Sequence, residues 1–236
     1  MAYLLIISLL AGLCTAAGAV LLFVKRQWSN RSLAVFLGLA AGVMTAVVVF
    51  DLLPSAFLYF RSLNVIMGIA LGGAVLFLAD KILLHRFSGQ EQSLITLGYL
   101  IMLGIALHDL PEGMAIALGS ELKARTGAVI ALGIAIHNIP EGMAIAAPLI
   151  MGGMKKSKVL LKIMLVAMVT PAGTLLGLGA VRSLPEILPF LLGVAAGIMI
   201  YLVLFQLWPQ AGLKGPRSRW LGFAAGIIII IAATYL

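Results

Sequence analysis

The chain has 236 residues, of which 63% are hydrophobic and only 10% charged, and its mean hydropathy is +1.17. Soluble domains are roughly half apolar and a quarter charged, so this composition leaves no place for a soluble enzyme. The formal charge of +8 does not mark a nucleic-acid binder, because Lys and Arg fall in short gaps between apolar runs and make no continuous basic face. A bilayer span takes roughly 20 apolar residues, so the length holds about eight spans, short connections and no separate soluble domain.

In chain order, apolar runs near residues 2 to 24, 32 to 58, 62 to 85, 94 to 119, 126 to 151, 159 to 180, 185 to 208 and 219 to 236 predict eight transmembrane helices. The expected fold is an all-α integral membrane protein, one polytopic domain over 1 to 236. The first run carries small residues from Cys14 to Ala19, as a signal peptide does. Its charges, Lys25 and Arg26, follow the apolar core instead of preceding it, so it reads as a retained span. Leu13, where a small residue would be wanted, also argues against lipoprotein cleavage at Cys14. That single cysteine permits neither an intramolecular disulfide nor a Cys-based metal site.

Orientation follows from the basic residues. Lys25, Arg26, Arg31, Lys81, Arg86, Lys155, Lys156, Lys158, Lys162, Lys214, Arg217 and Arg219 fall on one side of an eight-span chain. Only Arg61, Lys123, Arg125 and Arg182 fall on the other. The positive-inside rule puts the larger set in the cytoplasm and both termini outside a cell membrane. Trp28, Trp208 and Trp220 at inner ends, and Tyr3, Tyr59 and Tyr235 at outer ends, are placed as interfacial anchors.

Two internal repeats organise the chain. Residues 37–56 align without gaps on 192–211, with eleven of twenty positions identical, including Met44 with Met199, Phe50 with Phe205 and Pro54 with Pro209. These are the second and seventh spans, five apart, so they cross the bilayer in opposite directions, the pattern of an inverted repeat. Residues 103–117 (LGIALHDLPEGMAIA) match 132–146 (LGIAIHNIPEGMAIA) at twelve of fifteen positions. Two neighbouring, oppositely directed helices thus carry nearly the same polar motif, and their polar residues should meet near the midplane.

His108 and Glu112 are four apart and share a helix face, with Asp109 on its flank; His137, Asn138 and Glu141 repeat the arrangement. Ionisable groups inside a span cost several kcal/mol unless they are paired, solvated or bound to an ion. Two imidazoles and three carboxylates form a nitrogen and oxygen donor set suited to Zn²⁺, Fe²⁺, Mn²⁺, Co²⁺ or Cd²⁺, held singly or as a close pair. A buried polar clamp between two helices would account for one His and one Glu, but poorly for a duplicated pattern. Pro111 and Pro140 should free the carbonyls of Leu107 and Ile136 from helical partners, and Gly113 and Gly142 should let helices approach closely.

Asp51, within the second span, reads as a further ligand, an ion or proton relay, or an interfacial aspartate; its repeat counterpart Gln206 is uncharged. Met44 and Met199 can line a pathway softly, although Met in an apolar helix is more often packing. Asp80, beside Lys81, reads as an interfacial charge, and His85 as a solvated loop histidine.

The paired HDLPEG and HNIPEG motifs on the fourth and fifth of eight spans, with DLLPSA closing the second, resemble the ZIP family of divalent metal transporters, nearest its prokaryotic, GufA-like branch. The resemblance spans the whole chain and implies a three plus two plus three arrangement. It implies a metal site from His108, Glu112, His137 and Glu141, and a second beside it using Asp109 and Asn138 with both glutamates bridging. It also implies spans one, four, five and six moving against two, three, seven and eight, and a homodimer. The chain departs from the family pattern at Thr170, where many relatives carry glutamate, and at Gln206, where many are acidic.

The expected function is transport of divalent transition-metal ions, Zn²⁺ foremost, toward the cytoplasm, with the metal as substrate and no permanent cofactor. A metal-gated channel or sensor is the alternative. An intramembrane metalloenzyme is disfavoured because no H-E-x-x-H is present and the three histidines are too few for a di-iron oxygenase.

Overall fold

Hydrocarbon offers no partner for a free N–H or C=O, so an apolar chain must satisfy its backbone internally, and the described residues do so by helix. The computed structural model describes residues 1–25, 27–59, 62–86, 94–180 and 187–235. Among these the regular structure is entirely helical: α1 (Ala2–Leu21), α2 (Asn30–Val47), α3 (Leu53–Tyr59), α4 (Ser62–Arg86), α5 (Leu94–Leu122), α6 (Ala124–Met151), α7 (Lys156–Ala167), α8 (Val169–Ala180), α9 (Ile187–Tyr201), α10 (Trp208–Lys214) and α11 (Ser218–Tyr235). Arg26, Arg61 and Arg182 of the charge tally lie outside the described residues, as do the side chains of Tyr59, His85, Arg86 and Tyr235.

Several of these pieces join into single spans. α2 and α3 are linked by a π-helical turn, Val48–Leu52, and α9 and α10 by another, Leu202–Leu207. Each turn stands just ahead of a proline, Pro54 or Pro209, whose ring would clash with the carbonyl four residues back, that of Phe50 or Phe205; the widened turn accommodates it. α7 and α8 are divided at Met168. There Pro171 acts on the carbonyl of Ala167, which the structure sets against Gly12 of α1. Among the described residues seven helical stretches are long and apolar enough to cross a bilayer, and α11, with 18 residues, spans about 27 Å at 1.5 Å per residue.

α5 and α6 run unbroken through Pro111 and Pro140, and through Pro148 as well.

Glycines set the crossings. A Cβ at Gly38 or Gly42 of α2 would strike the carbonyl oxygen of Arg219 or Phe223, and one at Gly222 or Gly226 of α11 those of Val35 or Leu39. A Cβ at Gly193 or Gly197 of α9 would strike Val65 or Ile69, and one at Gly68 or Gly72 of α4 Phe190 or Val194. The two crossings have the same register: a shift of 155 residues carries the α2 contacts onto α9, and 154 carries those of α4 onto α11. A second matched pair joins the other helices. Gly18 of α1 lies on Ile139 O and Gly142 of α6 on Thr15 O, while Gly173 of α8 lies on Leu110 O and Gly113 of α5 on Thr170 O. Such close approach without side chains between is how helices bind one another where lipid removes the hydrophobic incentive.

The Lys- and Arg-rich ends carry the tryptophans. Trp28 Nε1 donates to Leu22 O at 3.0 Å, with Lys25 Nζ 5.3 Å from its ring centre. Arg219 lies 4.2 Å over Trp208, which meets Trp220 edge-on at 4.6 Å.

Candidate metal site

α5 and α6 bring their six predicted residues to one buried place. His108, Asp109, Glu112, His137, Asn138 and Glu141 have exposures between 0 and 3%. His108 Nδ1 lies 3.0 Å from Gly104 O, one turn back on its own helix. A carbonyl only accepts, so Nδ1 carries the proton and Nε2 is the nitrogen turned to the cluster. It lies 3.4 Å from Glu141 Oε2 and 3.6 Å from Asp109 Oδ1. His137 Nε2 lies 3.0 Å from Glu112 Oε2.

The pairing is reciprocal across the two helices. The histidine of α5 faces the glutamate of α6, and the histidine of α6 faces the glutamate of α5. The sequence places His and Glu on one face of each helix; the antiparallel crossing makes partners of residues from different helices.

Much of the donor capacity is unused. His108 Nε2, both oxygens of Asp109, Glu112 Oε1, both oxygens of Glu141 and Asn138 Oδ1 are buried without a hydrogen-bond partner. Buried polar atoms are ordinarily satisfied, so a concentration of orphans dominated by carboxylate oxygens is compatible with a cation site. His108, Asp109 and Glu112 can each bring one ligand atom within 4.8 Å of the others. The donors are imidazole nitrogen and carboxylate oxygen, the set suited to Zn²⁺ and its first-row neighbours.

Asp109 and Asn138 occupy equivalent motif positions and behave differently. Asn138 Nδ2 donates to Ala11 O of α1 at 2.9 Å, which fixes the amide and leaves only Oδ1 uncommitted. Thr170 is fully buried beside this region, its hydroxyl unpartnered and its carbonyl accepting from Thr174 Oγ1 at 3.1 Å. Thr15, 155 residues earlier and unremarked in the sequence, also has a fully buried hydroxyl without a partner. The signal for it was the shift of 155 residues that relates Thr15 to Thr170.

The remaining predicted residues are dispersed. Asp51 is exposed in the π-helical turn, receives a long 3.5 Å hydrogen bond from Ser55 Oγ, and has His137 and Glu112 as electrostatic neighbours. Met44 and Met199 are fully buried in the apolar core. Asp80 requires a correction: it is no interfacial charge but is only 7% exposed, accepting from Tyr201 Oη at 2.8 Å and Gln206 Nε2 at 2.7 Å on the same oxygen. Gln206 is therefore tied to Asp80. Tyr201 was missed because a tyrosine within an apolar run reads as packing, and the covalent neighbour Lys81 drew Asp80 toward the surface.

Fold and site together define a multi-pass membrane protein with a buried His, Asp and Glu cluster, compatible with a metal site, between two of its helices. The profile of the family described as "ZIP Zinc transporter" matches residues 85–234. Zinc transporter ZupT of Enterobacter sp. (strain 638) is 34% identical, covering 91% of this chain and 89% of its own length. ZupT of Clostridium perfringens (strain 13 / Type A) is 30% identical over 100% of this chain and 95% of its own, and ZupT of Chlorobium chlorochromatii (strain CaD3) is 29% identical over 98% and 95%. The chain belongs to the ZIP family. It is a transporter of divalent metal cations and not an enzyme.

Proposed function

We propose that the protein carries divalent transition-metal ions, Zn²⁺ foremost with Cd²⁺, Fe²⁺, Mn²⁺ and Co²⁺ tolerated, into the cytoplasm through the cluster between α5 and α6. The observation that carries this reading is the reciprocal His–Glu pairing with its unpartnered carboxylate oxygens. His108, Glu112, His137 and Glu141 form the principal site. Asp109, with Asn138 Oδ1 and the bridging glutamates, forms a poorer second one, since the position many relatives give to glutamate here holds Thr170. The names of the ZupT relatives support zinc as the leading substrate.

The protein sits in the cell membrane with both termini outside, as its basic residues indicate. In that orientation Asp51 lies on the outer approach to the cluster, where its negative charge draws cations inward. The matched glycine registers support an inverted repeat relating the first three spans to the last three. The family resemblance implies two bodies, α1, α5, α6, α7 and α8 in one and α2, α4, α9 and α11 in the other, and each glycine-matched pair, α1 with α6, α5 with α8, α2 with α11 and α4 with α9, falls within one of them. That division supports movement of the metal-bearing body against the second, which exposes the site to each side in turn.

The test is uptake by proteoliposomes holding a metal-sensitive dye. Wild-type protein should give saturable flux with Zn²⁺ and none with Mg²⁺, and the Glu112→Ala, Glu141→Ala double variant should give none. Equal flux by both proteins would overturn the assignment of the pathway to this cluster.

A further inference from the structure

A second polar feature lies at the Lys-rich end of α7, distant in role from the metal cluster. A cavity of about 540 Å³ opens where the start of α5, the turn after α6 and the start of α7 meet, lined by Tyr99, Gly152, Gly153, Lys155, Lys158 and Lys162 among others. Lys162 Nζ lies 5.0 Å from the centre of the Tyr99 ring. The neighbouring Lys156 is already used, donating to Phe23 O at 2.7 Å and Lys25 O at 3.1 Å at the end of the first span. Lys155, Lys158 and Lys162 have no such employment. Every ion pair among the described residues lies within the His and Glu cluster.

The placement is electrostatically unfavourable as it stands. The first turn of α7 holds no acidic residue and its N-cap, Lys155, makes no side-chain cap. Cations thus crowd the positive end of a helix, where anions are stabilising. Three ammonium groups around one cavity repel one another as well, and an anion seated among them removes both penalties.

What lies below the lysines identifies the kind of anion. Leu161, Leu165 and Met168 follow Lys158 at spacings of three, four and three, so they continue its face down the helix. They are 64, 66 and 39% exposed. A soluble phosphate has no use for such a stripe, whereas a phospholipid lays its chain there while its headgroup sits above. We propose that this cavity binds the headgroup phosphate of an anionic phospholipid, with Lys155, Lys158 and Lys162 holding the phosphate and an acyl chain along Leu161, Leu165 and Met168. The leaflet, cytoplasmic, rests on the charge-derived orientation; the site does not. Because the cavity belongs to the body that carries the metal cluster, the lipid anchors that body at the inner membrane surface.

The test is native mass spectrometry of the full-length protein in neutral detergent with equimolar phosphatidylglycerol and phosphatidylcholine. A cation near a membrane surface favours an anionic lipid by about fivefold, so three should give wild-type protein a preference on the order of 100-fold for phosphatidylglycerol. The Lys155→Gln, Lys158→Gln, Lys162→Gln variant should lose that preference, and the corresponding triple Arg variant should keep it. Millimolar inorganic phosphate should not displace the lipid. Zn²⁺ binding serves as the folding control and does not involve these lysines; if the triple Gln variant fails it, Lys158→Gln alone replaces it, with about a fivefold loss. No preference in wild-type protein, an unchanged preference in the Gln variant, or displacement by inorganic phosphate would each overturn the proposal.

Discussion

His137 Nε2 and Glu112 Oε2 lie 3.0 Å apart although the residues are 25 positions distant and sit on different helices. The contact fastens α5 to α6 at the cluster. On the proposed reading, removing either takes one ligand from the metal, and it leaves the other side chain buried without its partner. His137→Ala and Glu112→Ala should each weaken Zn²⁺ binding on the order of 100-fold, about 2.8 kcal/mol. The double variant should fall well short of the product, because both act on one ion. Calorimetric titration of the four proteins measures this; strict additivity would separate the two residues into independent roles.

The same cluster shows how far the sequence could be read. A His and a Glu four apart lie on one helix face by geometry alone, and duplication of the motif tied two such faces together. Reciprocal pairing was not legible, because it depends on how the two helices cross. Gly113 and Gly173 seat α5 on α8, and Gly142 and Gly18 seat α6 on α1, through backbone carbonyls of other helices that no local pattern announces. Prolines were legible as perturbations but not in their outcome: Pro54 and Pro209 follow π-helical turns and Pro171 a break, while α5 and α6 continue through Pro111 and Pro140. Asp80 was misplaced because its partners, Tyr201 and Gln206, are more than 120 residues away.

Gly142 tests the crossing of α1 with α6. Its missing side chain admits Thr15 O, and a Cβ there would meet backbone that cannot turn aside. Gly142→Val should push α1 from α6 and, through the Asn138 bond to Ala11 O, shift the amide beside the cluster. A loss of at least about 1–3 kcal/mol in folding stability is expected from overpacking, with weaker Zn²⁺ binding alongside. Gly133, where an added Cβ meets nothing within 4 Å, supplies the control: Gly133→Ala should leave both unchanged. Denaturant-dependent unfolding in mixed micelles reads stability, and equal behaviour of the two variants would remove the crossing as its cause.

Tyr201 and Gln206 donate to the same oxygen of Asp80, leaving Asp80 Oδ1 as a buried atom without a partner. Tyr201→Phe deletes one donor and keeps the ring, so its cost isolates the hydrogen bond. Bonds to a charged acceptor contribute about 1.5–3 kcal/mol, and those within membrane bundles less, at most about 1.7. A loss of about 0.6–1.7 kcal/mol is therefore expected, with Zn²⁺ affinity unchanged because these residues are separate from the His and Glu cluster. Asp80→Asn should shrink the Tyr201→Phe cost in a double-mutant cycle. An undiminished cost would assign the effect of Tyr201 to its packing against Phe205, whose ring centre is 4.9 Å away.

Orientation can be read from two exposed positions, because the only native thiol, Cys14, is removable. Ala2 begins α1 and Ser157 lies in the first turn of α7; both are exposed, and an even number of spans cannot separate the two termini. With both termini outside, a cysteine at residue 2 faces the exterior and one at residue 157 the cytoplasm. In a Cys14→Ser background, a membrane-impermeant maleimide added to intact cells should label Ala2→Cys and spare Ser157→Cys until the membrane is permeabilised. The lysines at 155, 156, 158 and 162 would then lie in the leaflet that the positive-inside rule assigns them. The opposite labelling pattern would reverse the chain, carry Asp51 to the inner side of the cluster and replace uptake by export as the expected direction.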